Sequence, residues 1–164
     1  LAAGEVDALA VKAITDDRRP RIRFSAPIMR TGAALFVPPG HPVAAHHDIA
    51  RCSGLRIATP RGGPLTAMVT RACSGATLVP TTSYEESLAA VLDGGADVAA
   101  LNVHGGAASA DRLFPGRFAR PQRTFAELSF GIAFDRARSL TRAGDRIDTI
   151  LAAVDRAIAA LPAA

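Results

Sequence analysis

The sequence has few aromatic residues, few cysteines and almost no lysine. Its 164 residues include no Trp, one Tyr and two Cys, and Lys12 is the single lysine among 19 basic residues. So little aromatic surface leaves few platforms on which nucleic-acid bases could stack. The net charge is +4, but most basic residues are dispersed along the chain, so we predict no nucleic-acid partner.

Long apolar runs are also absent. Asp, Arg or Gly interrupts every hydrophobic stretch before the ~20 residues that a membrane-spanning helix requires. Hydrophobic residues still make up 49% of the chain and charged residues 21%, which is typical of a compact domain with a buried core. Cys52 and Cys73 form no Cys-x-x-Cys motif and supply too few thiolates for a zinc or iron–sulfur site. We interpret them as buried apolar residues in preference to a disulfide, and we predict no cofactor.

The hydrophobic pattern predicts strands that alternate with helices. Strands are predicted at 6–11, 21–25, 33–37, 55–59, 76–80, 96–101 and 128–134, and helices at 64–73, 84–92, 104–113 and 145–161. The β-α-β-α-β order of the middle region favours a mainly parallel sheet covered by helices. The last helix carries apolar residues at three- and four-residue spacings, which indicates a buried stripe: Ile147, Ile150, Leu151, Val154, Ile158 and Leu161.

A glycine pair lies between the predicted strand 55–59 and the helix that follows it. Gly62 and Gly63 permit close approach of a ligand to the backbone, and Pro64 suits the first helical turn. The free N–H groups of such a helix start bind anionic groups. The spacing matches neither a P-loop nor a dinucleotide-binding fingerprint, and a plain strand-to-helix turn is the alternative interpretation.

Four segments carry a resemblance to a known family. Gly4-Glu-Val-Asp is followed by Ile14-Thr-Asp-Asp-Arg and Phe24-Ser-Ala-Pro, an order that resembles the family 3 extracellular solute-binding proteins. The resemblance continues through residues 55–63, 85–100 and 130–134, in the family's order. Each piece alone is weak, but four pieces in matching order and spacing are hard to obtain by chance.

The resemblance implies an α/β, two-lobed type II periplasmic binding protein-like fold. Residues 1–38 and 126–164 would then form lobe 1 and residues 39–125 lobe 2, with a small molecule in the cleft between lobes. Family members begin with a strand-helix-strand-helix segment that precedes Leu1, so we expect lobe 1 to be incomplete at its N-terminus. The implied protein is a periplasmic or extracytoplasmic monomer that captures its solute by hinge closure, without turnover, and delivers it to an ABC transporter permease.

Arg18 matches the arginine of the family's Ile-Thr-x-x-Arg motif and is the predicted anion anchor. A guanidinium pairs bidentately with a carboxylate, although an arginine in such a basic stretch can equally be a solvated surface residue. Lys12 could add a second positive charge, or it could point into solvent. The predicted ligand-binding residues are Arg18, Lys12, Ala13, Gly62, Gly63 and Asn102.

Three departures from the amino-acid binders of the family bear on the ligand. Ala13 and Gly63 stand where those proteins carry hydroxyl residues, and Asn102 stands where they place the Asp that pairs with the ligand's ammonium. A neutral amide has no charge to offset a buried ammonium. We therefore expect a non-amino-acid organic acid or another small polar solute.

Other interpretations have less support. The residues His41, His46, His47 and Asp48 could bind a metal, but adjacent histidines in an extended loop are hard to aim at one ion, so we predict no metal site. Val37-Pro-Pro-Gly-His-Pro resembles a phrase of the ligand-sensing domains of LysR-type transcription regulators, the first alternative. The second is an enzyme similar to the cyclohexadienyl dehydratases, which would need a cleft acid that the sequence does not identify.

Overall fold

The computed structural model describes residues 1, 5–45, 48–137 and 144–161, with the backbone alone for 144 and 145. The chain divides into two compact units: unit 1 is Leu1–Arg30 with Leu128–Ala164, and unit 2 is Thr31–Glu127. No helix in the described ranges is long and apolar enough to cross a membrane.

Seven strands and four helices follow one another along the described chain, largely as the hydrophobic pattern predicts. In chain order they are β1 (Ala8–Ala13), β2 (Ile22–Phe24), β3 (Met29–Phe36), β4 (Arg56–Pro60), α1 (Pro64–Ala72), β5 (Thr77–Thr81), α2 (Tyr84–Leu92), β6 (Val98–Asn102), α3 (Val103–Leu113), β7 (Ala126–Asp135) and α4 (Gly144–Ala159). Two short 3₁₀ helices, Pro42–Ala45 and Ile49–Arg51, lie between β3 and β4 and were not predicted.

The strands of unit 2 lie in the order β3-β6-β4-β5. Strand β4 is parallel to both β5 and β6, whereas β3 runs antiparallel to β6, with Ala33 opposite Asn102. The predicted parallel β-α-β-α-β arrangement is therefore confirmed. Because β4 and β6 are parallel, their carboxyl ends, Pro60 and Asn102, meet at one edge of the sheet.

Side-chain alternation along these strands builds a separate core on each face of the sheet. One core includes Phe36 and Leu101 from the strands and Leu88 from α2. The other includes Leu35 and Ile57 from the strands, Val69 from α1, and both cysteines, whose thiols are free and buried. Helices α2 and α3 thus cover one face, and α1 covers the other.

In unit 1, β7 pairs antiparallel with β1 and with β2. Helix α4 makes polar contacts with β2 and the segment after it: the Asp148 carboxylate pairs with Arg23, and the Asp155 carboxylate accepts a hydrogen bond from the Ala26 N–H at 2.7 Å. The predicted apolar stripe of α4 is wrong at two positions.

Leu151 of this stripe is buried, but Ile150 is 48% exposed and Leu161 is 68% exposed. Leu161 lies beyond the last residue of α4, which places it outside the packed part of the stripe. Ile150 is exposed because the buried face of α4 is narrower than the spacing of its apolar residues indicates.

The division between the two units falls after Arg30, whereas the sequence pattern predicts residues 31–38 to belong to lobe 1. These residues belong to unit 2 because β3 pairs with β6. In addition, Phe36 packs in one core of that unit and Leu35 in the other. Long-range strand pairing decides this assignment, and the Pro- and Gly-rich segment after Val37 is a loop within unit 2.

An ion pair joins the starts of β4 and β6. The Asp97 carboxylate accepts hydrogen bonds from the Arg56 backbone N–H at 2.7 Å and from guanidinium Nη2 at 2.8 Å. The guanidinium hydrogen bonds, followed by the Arg56 backbone N–H, hold the pKa of Asp97 below its usual value of 3.8. A lowered folded-state pKa contributes stability above the unfolded pKa, which is lost as the pH falls through the folded pKa.

We therefore expect Asp97→Asn to destabilise the protein at pH 7, and the difference from wild type to shrink below about pH 4. Urea unfolding of both proteins at pH 7, 5 and 3 measures it. Asp111→Asn is the control, because Asp111 pairs with Arg120 at the exposed surface and such pairs contribute little. A difference between wild type and Asp97→Asn that is the same at every pH would contradict the expectation.

Candidate ligand-binding site

The predicted anion anchor lies in the tight loop between β1 and β2 of unit 1. The Arg18 N–H donates to Thr15 O at 3.1 Å, and the Ile22 N–H donates to Arg18 O at 2.8 Å, which winds the loop into a turn. The Arg18 side chain is half-buried and turns back onto β1, where Nη1 donates to Ala13 O at 3.1 Å. The backbone carbonyl of Ala13 thus positions the guanidinium, while the Ala13 methyl group is buried.

Lys12 is half-buried beside Arg18. Burial lowers the pKa of Lys12 below its usual 10.5, and the positive charge of Arg18 lowers it further. Strand β1 has a register irregularity against β7 between Leu9 and Lys12, which changes the pattern by which its side chains face either side. The structure therefore brings Lys12, Ala13 and Arg18 together, with the positive charges of Lys12 and Arg18 repelling each other.

The neighbouring arginine behaves differently. Arg19 is exposed, and its Nε donates to the Asp16 carboxylate at 3.3 Å. Arg19 and Asp16 thus form a surface pair within the same loop, whereas Arg18 is held against the strand. Of these two adjacent arginines, only Arg18 has its guanidinium bonded to the backbone of β1.

In unit 2, the two predicted glycines shape the turn from β4 into α1. Gly62 has φ +74°, a left-handed conformation that favours glycine, and the Arg61 N–H fixes the turn by donating to Thr81 O at 2.9 Å. Gly63 is the N-cap of α1 and has no side chain to cap it, and Pro64 stands at the first helical position. Among the described residues, the N-cap therefore provides no side-chain acceptor for the first N–H groups of α1.

Asn102 ends β6 and is the N-cap of α3. Its side-chain Oδ1 accepts hydrogen bonds from the His104 and Gly105 N–H groups, both at 3.0 Å. The residue is only 7% exposed. Both acceptor positions of Oδ1 are thus used by the helix, and the amide N–H₂ is the part of this side chain left for other partners.

Tyr84 contacts the start of α3. It is not among the residues predicted from the sequence. Burial raises the pKa of Tyr84, while a hydrogen bond with the Asn102 backbone acts in the opposite direction. A Cβ on Gly105 would come within 2.7 Å of the Tyr84 ring, so only glycine allows α3 to pack this closely. The sequence signal that could have identified Tyr84 is that it is the single tyrosine of the chain and directly follows a Ser N-cap.

Two threonines near Asn102 were also missed. Thr59 follows Ile57 on the same face of β4, and Thr31 precedes Ala33, the residue opposite Asn102, on β3. Both are buried, and neither side-chain oxygen has a hydrogen-bond partner among the described residues. The sequence pattern does not distinguish them from other strand threonines, because whether a buried hydroxyl finds a hydrogen-bond partner depends on tertiary contacts.

Two residues of the alternative metal site, His41 and Asp48, are among those that the structure describes. His46 and His47 lie outside the described residues. His41 Nδ1 accepts a hydrogen bond from the Val43 N–H at 3.2 Å, and Asp48 caps the second 3₁₀ helix by accepting from the Ala50 N–H at 3.0 Å. The described ranges contain no group of three or more potential metal-ligating side chains.

Proteins of known structure share this arrangement of elements. The periplasmic VFT2 domain of BvgS from Bordetella pertussis matches with a TM-score of 0.78 and 19% identity, covering 98% of this chain and 64% of that one. Holo ArgBP from T. maritima matches with a TM-score of 0.81 and 16% identity, covering 98% and 67%. The fold is that of the two-lobed periplasmic binding proteins.

A further match is an ancestral amino acid-binding protein, AncCDT-1, described as a precursor of cyclohexadienyl dehydratase. Its TM-score is 0.71 at 18% identity, and the match covers 95% of this chain and 62% of that one. The chain thus spans less than two thirds of this protein and of the BvgS domain. No protein-family model and no curated protein matches the sequence.

Proposed function

We propose that this chain is part of an extracytoplasmic solute-binding protein of the family 3 type, which captures a small carboxylate-bearing solute for ABC-type transport. The fold supports it, as do the names of the structural neighbours, which include arginine-bound ArgBP and an ancestral amino acid-binding protein. In this proposal the protein works as a periplasmic monomer, and solute capture is coupled to hinge closure.

The observation that carries the proposal is the pair of cations in unit 1. Lys12 and Arg18 are both half-buried, and repulsion from the Arg18 charge adds to burial in lowering the pKa of Lys12. An anionic group beside them relieves that repulsion, and the guanidinium fork is suited to bind a carboxylate through two parallel hydrogen bonds. The bond from Arg18 to Ala13 O holds the guanidinium in position before the solute arrives.

The predicted site residues of unit 2 offer hydrogen-bond donors, which suit a further acceptor group on the solute. Asn102 offers N–H donors because its oxygen is occupied by α3, and the uncapped start of α1 also offers N–H donors. A solute ammonium finds no partner among these donors. The proposed solute is therefore an organic acid with a second carboxylate, carbonyl or hydroxyl, and Gly62 and Gly63 allow its close approach to the backbone.

We propose binding without turnover. The six site residues provide cations, an amide and backbone groups but no carboxylic acid that could protonate a leaving group. The name of AncCDT-1 makes a dehydratase the second candidate. Incubation of the full-length protein with prephenate distinguishes the two, because a dehydratase consumes prephenate and a binding protein does not.

The test of the proposal is a thermal-shift screen of the full-length protein against small organic acids, amino acids, sugars and phosphates. A solute that binds only the native state raises the melting temperature. Stabilisation by dicarboxylates or hydroxy acids supports the proposal. Stabilisation confined to amino acids or sugars would exclude the proposed solute class, and export to the periplasm is tested separately by cell fractionation.

Asn102→Asp provides a specific prediction about this subsite. Aspartate caps a helix about as well as asparagine, and its charge is favourable at a helix N-terminus, so we expect stability to be maintained or slightly raised. The substitution removes the amide donors and adds a like charge, so affinity for a dicarboxylate should fall about tenfold or more relative to affinity for an amino acid. Calorimetric titration of both solutes measures the ratio.

Asn102→Ala is the matched control. Loss of the cap should cost about 0.5–2 kcal/mol of stability without introducing a charge. Dicarboxylate binding should then weaken through loss of the donor alone, with no gain for amino acids. An Asn102→Asp protein with unchanged preference between the two solutes would remove Asn102 from the site.

A further inference from the structure

We propose that Cys52 and Cys73 form a disulfide bond when the chain folds in the presence of a disulfide oxidant. The occurrence of the bond in the native compartment rests on the extracytoplasmic location proposed above. The formation of the bond itself rests on the structure of unit 2 alone.

The two cysteines end neighbouring elements that pack together. Cys52 is the C-cap of the 3₁₀ helix Ile49–Arg51, and Cys73 is the C-cap of α1. Their exposed fractions are 0% and 7%, and both side chains belong to the same apolar core cluster. The two buried thiols therefore lie in the same apolar core.

The backbones that follow the cysteines run side by side. The Gly54 N–H donates to Gly75 O, and the Thr77 N–H donates to Leu55 O, both at 2.8 Å. In the parallel ladder of β4 and β5, Arg56 is opposite Thr77, and each cysteine lies four residues before its member of that pair. Adjacent parallel strands are about 4.8 Å apart, and a disulfide spans roughly 4.4–6.8 Å between Cα atoms. We infer that the two segments stay close enough, back to the cysteines, for the bond to form.

The environment of the thiols determines when the bond can form. Burial, followed by the neighbouring Cys73 and then Asp48, raises the pKa of Cys52 to about 11. The Cys52 Sγ–H also donates to Asp48 O at 3.5 Å. Because the thiolate is the nucleophile, a buried protonated thiol reacts slowly, so we expect oxidation during folding rather than in the folded reduced protein.

The reaction needs a disulfide co-reactant, such as oxidised glutathione or a protein thiol oxidase. One cysteine thiolate attacks a sulfur of that disulfide, forms a mixed disulfide and expels the other sulfur as a thiolate. The second cysteine thiolate attacks the cysteine sulfur of the mixed disulfide and expels the remaining thiolate. The two cysteines lose two electrons and two protons, and the oxidant becomes two thiols.

The bond would close a loop that contains β4, the Gly62–Gly63 turn and α1. Closing a loop of about 20 residues constrains the unfolded chain, which is expected to raise the melting temperature by roughly 6–12 °C. The bond also ties the end of α1 to the segment that enters β4. The turn between them, which carries two of the proposed ligand-binding residues, would be held from both sides.

The experiment refolds the full chain from reducing denaturant, once with oxidised plus reduced glutathione and once with reduced glutathione alone. Each product is denatured in acid, treated with iodoacetamide and measured by intact mass. We expect no alkylated cysteine after oxidative refolding and two after reducing refolding. Trypsin cleaves after Arg51 and Arg71, so the bond appears as two peptides joined through Cys52 and Cys73.

Two alkylated thiols, glutathione adducts or bonds between different molecules after oxidative refolding would overturn the proposal. A melting temperature lowered by the bond would show that it does not fit the native fold. Cys52→Ser is the control, and its melting temperature should not respond to the oxidant. If the bond forms in glutathione but protein isolated from its source has free thiols, the extracytoplasmic location fails instead.

Discussion

Replacing Arg18 with alanine is expected to weaken binding of a carboxylate-bearing solute by about 10- to 100-fold. Hydrogen bonds to charged groups contribute about 1.5–3 kcal/mol each, and the guanidinium provides two in parallel. Lys12 would remain beside the bound anion and supply charge without the fork geometry, which limits the loss. Calorimetric titration of the full-length protein with a solute identified by thermal shift measures the change in Kd.

Two further variants separate charge from geometry. Arg18→Lys keeps a positive charge but loses the planar fork, so its affinity should lie between those of wild type and Arg18→Ala. Arg19→Ala removes the adjacent arginine, which pairs with Asp16 at the surface, and should leave the affinity unchanged. Equal losses in Arg18→Ala and Arg19→Ala would show that the loop contributes general charge and that Arg18 is not an anchor.

Stability must be measured beside affinity, because Arg18 also donates to Ala13 O. Its removal frees that carbonyl and loosens the turn, which should cost about 0.5–1.5 kcal/mol. If binding were lost because the loop unfolds, the melting temperature without solute would fall by an amount that accounts for the weaker binding. A large affinity loss with a small stability change supports direct contact.

Local sequence signals were sufficient for most of the elements. The helix predicted at 84–92 has those bounds in the structure, because the Ser83 side chain caps its start by accepting from the Glu86 N–H and Gly94 follows its end with φ +75°. Strands β4, β5 and β6 are recognisable for the same reason: short apolar runs lie between glycines and helix caps. These signals lie within a few residues of the element that they define.

Features that depend on residues far apart in the sequence could not be predicted from such local patterns. The assignment of residues 31–38 to unit 2 depends on the pairing of β3 with β6, which is more than sixty residues away. The exposure of Ile150 depends on how much of α4 is covered by the rest of unit 1. Periodicity indicates which face of a helix is apolar, but not how wide a surface is available to receive it.

The sequence predicts candidate site residues, but it does not show the contacts that they make in the fold. Arg18 was identified by motif, and the structure adds its bond to Ala13 O. Asn102 was interpreted as a substituted ligand contact, although an Asn directly before a helix is also a typical N-cap. Only the structure shows that the N–H groups of α3 use the Asn102 Oδ1 as their acceptor, so that the amide N–H groups remain for other partners.

The second large effect is expected at Gly106, which is buried in α3 against the sheet of unit 2. A Cβ there would lie 2.5 Å from Phe36 Cζ and 3.0 Å from Leu101 Cβ. Phe36 is 1% exposed and Leu101 is fully buried, so neither can move aside into solvent. Helix propensity alone predicts that Gly106→Ala stabilises by up to about 1 kcal/mol. Overpacking in a closed core costs about 1–3 kcal/mol, so we expect a net loss.

Ala108→Gly makes the reverse exchange at an exposed position of the same helix, where packing plays little part. It should destabilise by about 1 kcal/mol, which calibrates the propensity in this helix. Urea unfolding of both variants then gives the packing cost at Gly106 as the loss in Gly106→Ala plus this calibrated gain. Stabilisation of Gly106→Ala by the full propensity would show that α3 can move away from Phe36.

Phe36→Leu tests whether the ring is the obstacle. Leucine lacks the Cζ and Cε2 atoms that a Cβ on Gly106 would meet, so the new methyl group can occupy part of the space that the ring vacates. Phe36→Leu alone should destabilise by leaving a cavity. The double variant should then be more stable than the sum of the single losses by about 0.5–3 kcal/mol, the range for residues in contact. Because Asn102 is the N-cap of α3, a shift of this helix would also move the amide donors. Solute affinity should therefore fall in Gly106→Ala and recover in the double variant.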